Sequence, residues 1–170
     1  MKKVLIIIGL LFLFILKIES QENLLSFNFL YVRSIKNEIK IKFELCNQSD
    51  KDMAVYVPNY LDICRNIFTI KFISSKDSTI HIYFPCNWIA DLKPIKLNYK
   101  NCVILPPMGK KVISIKLLKK NFSPYLKVNN LYRVLLEIRL KEVDIESVFK
   151  NYFHDDIVSN CLIYKNISVR

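Results

Sequence analysis

Glycine is almost absent from this chain of 170 residues, which contains only Gly9 and Gly109. Loops that bind nucleotide phosphates or form a nucleophile elbow need glycine, because it adopts positive φ at no steric cost and lets the backbone approach a ligand closely. The sequence accordingly has no GxGxxG, no Walker loop and no GxSxG. We therefore expect no nucleotide cofactor, and we assign no other cofactor.

Histidine is equally scarce, and the five cysteines show neither CxxC spacing nor a Cys/His cluster, so no zinc motif is present. His81 lies in the alternating segment TIHIYF, where we predict an exposed position on a strand. His154 is followed by Asp155 and Asp156. This triplet has the chemistry to bind a metal or to position a base, but a polar loop is the simpler interpretation.

Long apolar runs are confined to the N-terminus, where two lysines precede the 13-residue run Val4–Leu16 and a polar stretch ends at Ser20. This is the layout of a secretory signal peptide, and the run is shorter than the ~20 residues that a membrane-spanning helix needs. We predict a signal peptide over residues 1–20, one domain over residues 21–170, and no transmembrane span after cleavage. A retained signal anchor is the competing interpretation. The predicted location is secreted, periplasmic or otherwise extracytoplasmic.

Negative charge is in deficit, since 26 lysines and arginines oppose 15 acidic residues and give a formal net charge of +11. Such an excess favours anionic partners in general. The lysines, however, are scattered and alternate with apolar residues, as expected for the solvent faces of strands in a lysine-rich composition. We therefore do not expect nucleic acid as a partner, and we keep a basic module for acidic polysaccharide as an alternative.

Period-two alternation of apolar and polar residues dominates the rest of the chain, as in EIKIKFEL, KVISIKLL and LYRVLLEIRL. About eight or nine such strands, separated by turn residues, predict an all-β fold with antiparallel pairing. PPMGK reads as a hairpin turn with Gly109 in the left-handed position. Apolar residues at helical spacing after Asp144 predict one short helix near residues 145–153.

The strand segments IFTIKFI and TIHIYF flank the polar SSKDS and predict a hairpin centred on Lys76. That centre places Cys64 and Cys86 across the open base of the hairpin. Because exported chains meet an oxidising compartment, we predict a Cys64–Cys86 disulfide. Spacing leaves Cys46, Cys102 and Cys161 unassigned, and the odd count requires at least one thiol that is free or bonded to another chain.

Several segments, in order, resemble the strands and turns of small immunoglobulin-like domains in exported bacterial proteins. They are ELCNQSDKDMAVYVPN, VILPPMGKKVISIKL, YRVLLEIRL and VSNCLIYKNISV. The chain departs from that pattern at Met108, inserted between Pro107 and Gly109, and over residues 144–156. The resemblance implies an antiparallel immunoglobulin-like β-sandwich of an uncharacterised family and offers no catalytic residue.

Aromatic residues near the predicted disulfide, namely Tyr56, Tyr60 and Trp88, suggest a binding loop, since Trp and Tyr suit hot spots and sugar stacking. The sequence thus favours an exported, non-enzymatic binding or scaffolding module of the cell envelope or extracellular space, with a protein or glycan partner. The alternatives are an envelope hydrolase or metal-dependent enzyme using His154 and its neighbouring aspartates, and the basic module for acidic polysaccharide.

Overall fold

The structure, a computed structural model, describes residues 24–88, 94–141 and 143–167, and the Tyr60 side chain is also outside its description. The predicted signal peptide over residues 1–20 therefore lies outside the described residues. Within the described ranges, no helix combines the length and the apolar character that a membrane span requires.

Nearly all regular structure in the described residues is β, which confirms the predicted all-β class. The strands are β1 (Leu25–Ile35), β2 (Glu38–Asn47), β3 (Met53–Tyr56), β4 (Phe68–Ser74), β5 (Ile80–Tyr83), β6 (Ile95–Leu97), β7 (Cys102–Leu105), β8 (Lys110–Leu118), β9 (Phe122–Ser123), β10 (Leu131–Ile138), β11 (Ile145–Ser147), β12 (Ile157–Val158) and β13 (Leu162–Lys165). The helical elements are α1 (Tyr60–Cys64) and a 3-10 turn at Lys119–Asn121. The strands outnumber the predicted eight or nine because four of them have only two or three residues.

The strands form two larger sheets and two small ones. One sheet has the order β1-β2-β8, and the other has the order β12-β10-β4-β5-β9, with β13 also paired to β10. The small sheets are β3-β7 and β6-β11, and only the second of these is parallel. Antiparallel pairing therefore prevails as predicted, whereas the immunoglobulin-like topology stays a prediction.

The core lies between the inward faces of the two larger sheets. On β10, Tyr132, Val134 and Leu136 are fully buried, and the residues between them are not. On β2, Ile39, Ile41 and Phe43 alternate in the same way. The rings of Phe43 and Phe68 lie 6.1 Å apart across the layers. The alternation in the sequence therefore predicted which faces of these strands are buried.

The predicted hairpin between β4 and β5 is confirmed, but its register differs by one residue. The pairs Phe72↔His81 and Ile73↔Ile80 place the centre just beyond Lys76. Along β5, His81 and Tyr83 face the core, whereas Ile80 and Ile82, whose face the alternation predicted to be buried, are 50% and 40% exposed. The prediction of an exposed His81 is therefore wrong: His81 is buried, and its Nδ1 lies 2.6 Å from the Pro124 carbonyl.

The predicted helix near residues 145–153 is also wrong. Ile145–Ser147 instead form β11, which pairs in parallel with β6, and the Asp144 carbonyl accepts from the Ile95 N–H at 2.9 Å. Further along, Tyr152 bridges Ala54 on the edge of β3. Two strand edges thus offer backbone hydrogen bonds to this segment, and tertiary pairing overrides its helical spacing.

The segment PPMGK is a turn, but it does not join a hairpin. The strands before and after it belong to different sheets, because β7 pairs with β3 and β8 pairs with β2. The Gly109 N–H donates to the Pro106 carbonyl at 2.8 Å, and the positive φ, 58°, falls on Met108. Glycine is needed at 109 for space: a Cβ there would lie 2.5 Å from Pro106 Cδ and 2.7 Å from its carbonyl oxygen.

We expect Gly109→Ala to lower the free energy of unfolding by about 1–3 kcal/mol, as for overpacking elsewhere, because backbone atoms must move to admit the methyl group. Met108→Gly is the matched control. It relieves the left-handed strain but adds backbone entropy to the unfolded chain, so its effect should stay within about 1 kcal/mol. Urea unfolding of the three proteins measures both. Equal stability of Gly109→Ala and the parent would refute the close approach.

Candidate functional site

A disulfide joins the end of α1 to the residues after β5. Cys64 and Cys86 are bonded with a Cα–Cα distance of 5.8 Å, inside the usual range for a disulfide, so the predicted pairing is confirmed. The other three cysteines are free, with Cys46 buried, Cys102 partly buried and Cys161 exposed. The bond therefore fixes the segment between β3 and β4 against the end of the β4-β5 hairpin.

A capping box starts the short helix α1. The Asn59 side chain accepts from the Leu61 N–H at 2.8 Å, and the Asn59 N–H donates to Asp62 Oδ2 at 2.6 Å. These reciprocal bonds satisfy backbone donors that a helix otherwise leaves unpaired at its start. They allow a helix of five residues to hold its position.

Asp62 is also the buried polar centre of this segment, with a fully buried side chain. The Tyr56 hydroxyl donates to its Oδ2 at 2.7 Å, and Arg65 Nη1 lies 3.9 Å from its Oδ1. Burial raises the pKa of Asp62 above its ordinary value, although the bonds from Asn59 and Tyr56 and the charge of Arg65 oppose the shift. Burial, together with the neighbouring Asp62, holds the pKa of Tyr56 far above its usual range.

The structure gives different surroundings to two of the three aromatic residues that the sequence assigned to a binding loop. Tyr56 is buried at 3% exposure, and its hydroxyl is used by Asp62. The Tyr60 side chain lies outside the described part of the chain. Trp88 is 60% exposed, two residues beyond the disulfide. Of the two described side chains, that of Trp88 is therefore the one whose aromatic surface a ligand can reach, and its binding role stays a prediction.

A groove of about 350 Å³ lies beside the disulfide, between residues 84–87 and residues 120–125. The Phe84 N–H donates to the Asn121 carbonyl at 2.9 Å, which ties the two walls together. Tyr125, at 72% exposure, lines one wall, and Trp88 directly follows the other. The groove therefore has fixed walls, one exposed aromatic side chain in its lining, and a second, that of Trp88, one residue beyond the lining. Its volume falls in the range of ligand pockets.

Two residues of this region were not predicted as site residues. Asp62 has a readable signal, since NYLD places an acid three residues after Asn59, which is a capping-box spacing. Tyr125 has a weaker one: it follows a Ser-Pro turn, but its place in the groove depends on β9 pairing with β5. The short strand β9 has no alternation of its own from which that pairing can be read.

His154, Asp155 and Asp156 line a second cleft, of about 470 Å³, together with Lys141. Asp156 Oδ1 accepts from the backbone N–H groups of Leu140 and Lys141 at 2.9 and 3.0 Å, so this carboxylate has a role in the loop structure. Within the described residues, no three His, Cys, Asp or Glu side chains form a group that would hold a metal. The structure thus brings the predicted triplet to one cleft but not into a metal-binding arrangement.

We expect the double substitution Cys64→Ser/Cys86→Ser to lower the free energy of unfolding by about 3 kcal/mol, because the bond closes a loop across 22 positions of the chain. Cys161→Ser is the matched control and should change stability by less than about 0.5 kcal/mol, since its thiol is exposed and free. Thiol titration of the unfolded, unreduced parent should give three free groups. Five free groups would contradict the disulfide.

We expect Asp62→Asn to change how stability depends on pH. Because the folded pKa of Asp62 is raised, the folded state binds the proton more tightly than the unfolded state does. The contribution of Asp62 to the free energy of unfolding therefore falls as the pH rises from near 4, the ordinary pKa of this group, towards neutrality. Asp62→Asn should remove that contribution, as measured by urea unfolding at several pH values between 4 and 7.

Glu137→Gln is the matched control with the opposite sign. Burial acts to raise the pKa of Glu137, but hydrogen bonds from Arg139 and Lys71 outweigh it and lower the pKa. Its contribution to stability is present above pH 4.5 and is lost as pH falls. If both variants change the pH dependence in the same direction, the assignment of a raised pKa to Asp62 is wrong.

No family model and no curated protein matches the chain. The comparison with solved structures gives distant neighbours. The chain is similar to the beta-glucosidase from Kluyveromyces marxianus in complex with glucose, at 16% identity and a TM-score of 0.35. The selenomethionine-labelled form of that enzyme is 14% identical to this chain, with a TM-score of 0.33. Each match covers 84% of this chain and 15% of the other, so this chain corresponds to a small part of that enzyme. At these TM-scores, the function has to be argued from the chain's own residues.

Proposed function

We propose that this chain is an exported, non-enzymatic binding module with an immunoglobulin-like β-sandwich, and that it binds a glycan in the groove beside the disulfide. The observation that carries the proposal is the exposure of Trp88 and Tyr125 next to that groove. Exposed Trp and Tyr rings present large apolar faces with a polar group at one edge, which suits the alternating apolar and hydroxyl surfaces of a sugar ring.

Polar groups for a sugar ligand lie along the same walls. Asn87 and Asn121 line the groove and carry amides that both donate and accept hydrogen bonds, and Lys120 adds a cation. Among the described residues, Asn121 Nδ2 has a single long contact, of 3.4 Å to the Tyr83 hydroxyl. Aromatic faces flanked by amides are the usual composition of a site that orients a small polar ligand.

The groove is also held in place before any ligand arrives. The disulfide fixes residue 86, and the Phe84–Asn121 backbone bond fixes the opposite wall. A preformed site avoids the entropic cost of ordering loops on binding, which otherwise reduces affinity. Exposed aromatic residues beside a preformed groove therefore favour a role in ligand binding over a purely structural role.

Trp88 is the single tryptophan of the chain, so intrinsic fluorescence reports directly on this site. We expect cellohexaose or chitohexaose to shift the emission of Trp88 with a saturable dependence on concentration. Calorimetry should then show that Tyr125→Ala weakens binding by about tenfold, the equivalent of one lost stacking contact. Tyr99→Ala is the matched control, since Tyr99 is 77% exposed and packs on Phe149 instead.

Two outcomes would contradict the proposal. The first is no emission change and no heat with either oligosaccharide. The second is an equal effect of the Tyr125 and Tyr99 variants, which would mean that the groove is not the site. A heparin hexasaccharide serves as the third probe. Heparin binding that is unchanged by Tyr125→Ala, in the absence of neutral-sugar binding, would favour the basic module for acidic polysaccharide instead.

A further inference from the structure

The strand β8 has one free edge in the part of the chain that the structure describes. It is the last strand of its sheet, and its partner is β2, with pairs that run without a shift from Glu38↔Leu118 to Cys46↔Lys110. Its core-facing residues Ile113 and Ile115 are only partly buried, unlike their partners Phe43 and Ile41. A free edge presents unpaired N–H and C=O groups that can accept a further strand.

The register shows which backbone groups face that free edge. The Lys119 N–H donates to the Asn37 carbonyl at 2.9 Å, and the Asn47 N–H donates to the Gly109 carbonyl at 3.0 Å. In an antiparallel ladder, hydrogen-bonded pairs recur at every second residue, so the odd-numbered residues between these ends bond to β2. The N–H and C=O groups of Val112, Ser114 and Lys116 therefore point away from β2.

An apolar cavity opens beside this edge. It has a volume of about 210 Å³ and lies between β8 and the segment that carries α1, with Ile115 and Leu117 on one side and Pro58 and Ile63 on the other. Phe68 and Tyr83 also line it. The core-facing side chain of an added strand, opposite Ile115, would enter this cavity. The cavity thus supplies the side-chain pocket that strand addition uses for specificity.

Lysines dominate the outward face of the sheet beside this edge. Lys110 is paired with Glu44 at 3.1 Å. Lys116 is exposed on that face, and Lys40 and Lys42 lie on the same face of β2, opposite Lys116 and Ser114; none of these three lysines forms an ion pair with a described residue. A strand placed here would therefore meet several uncompensated cations, which complement acidic side chains.

We propose that the free edge of β8 binds an extended peptide segment of a partner protein, in which acidic residues alternate with apolar ones. Its backbone pairs with Val112, Ser114 and Lys116, its apolar side chain enters the cavity beside Ile115, and its acidic side chains face the lysines. This site uses the strand edge rather than the aromatic groove, so it stands independently of glycan binding.

A second copy of this chain is a poor occupant for the same reason. Pairing two β8 strands would bring the lysines of one copy against those of the other, and like charges on facing strands are destabilising. Edge lysines are a known means of preventing such self-pairing. The charge pattern therefore disfavours self-association while it favours an acidic strand.

The test uses a nine-residue, terminally blocked peptide of alternating glutamate and valine, matched to the nine residues of β8. A peptide with lysine in place of glutamate is the comparison. By fluorescence polarisation at low ionic strength, we expect the glutamate peptide to bind at least about tenfold more tightly, with the difference reduced by salt. Hydrogen exchange at Val112, Ser114 and Lys116 should slow when the glutamate peptide is bound.

Ser114→Pro provides the decisive variant, because it removes an N–H that faces the free edge and leaves the bonds to β2 intact. We expect it to weaken binding of the glutamate peptide by at least about tenfold, while the matched Ser114→Ala, which keeps the N–H, binds as the parent does. If Ser114→Pro does not fold, Lys42→Glu/Lys116→Glu replaces it, because both lysines lie on the outward face of the sheet. That variant should reverse the preference between the two peptides, whereas the control Lys100→Glu should not.

Three results would overturn the proposal. One is equal binding of the glutamate and lysine peptides, or none by either. Another is exchange protection confined to residues outside β8. The third is self-association that Ser114→Pro abolishes, which would show that a second copy occupies the edge.

Discussion

The antiparallel pairing of β10 with β4 is the constraint on which the interior depends. It runs without a shift from Tyr132↔Ser74 to Ile138↔Phe68, and β5, β12 and β13 attach to these two strands. Phe72 lies at the centre, with its ring 4.8 Å from that of Phe122 and 5.4 Å from that of Tyr164. A slip of one residue between β4 and β10 would place Phe72 on the face opposite to Tyr132 and Val134, away from the rings that it contacts, so the pairing and the aromatic core stabilise each other.

The segment between β3 and β4 connects this core to both candidate surfaces. Its inner end is held by Asp62, whose carboxylate accepts from Tyr56 and Asn59, and its outer end is held by the Cys64–Cys86 bond. Residues of this segment line one side of the cavity beside β8, and Cys86 of the disulfide lines the groove that also contains Tyr125. A buried carboxylate is costly in itself. Here the hydrogen bonds from Tyr56 and Asn59 offset part of that cost.

The sequence pattern predicted the features that depend on residues close together in the chain. Alternation fixed the buried faces of β2 and β10, and the disulfide followed because a hairpin base tolerates an error of a residue or two. Alternation does not by itself say which face of a strand is buried, so taking the isoleucine face of β5 as the inner one gave the wrong face for His81. The helix predicted after Asp144 failed because its spacing competed with the free edges of β3 and β6, which lie far away in sequence. Of the candidate site, Trp88 was predicted, whereas Tyr125 and the cavity beside β8 arise only from tertiary pairing.

Lysines that are scattered in the sequence are brought next to each other by the pairing of β2 with β8. On β2 and β8, Lys40 faces Lys116, and both point to the solvent, so the outer face of this sheet carries like charges in register. Such a pairing weakens the sheet slightly, and an acidic residue at either position would relieve it. Like charges at the open edge of β8 oppose pairing with a second copy of this chain. The same unpaired charges attract a strand that carries acidic side chains. The positive charge on this face of the sheet therefore complements the acidic strand that we propose for the free edge of β8.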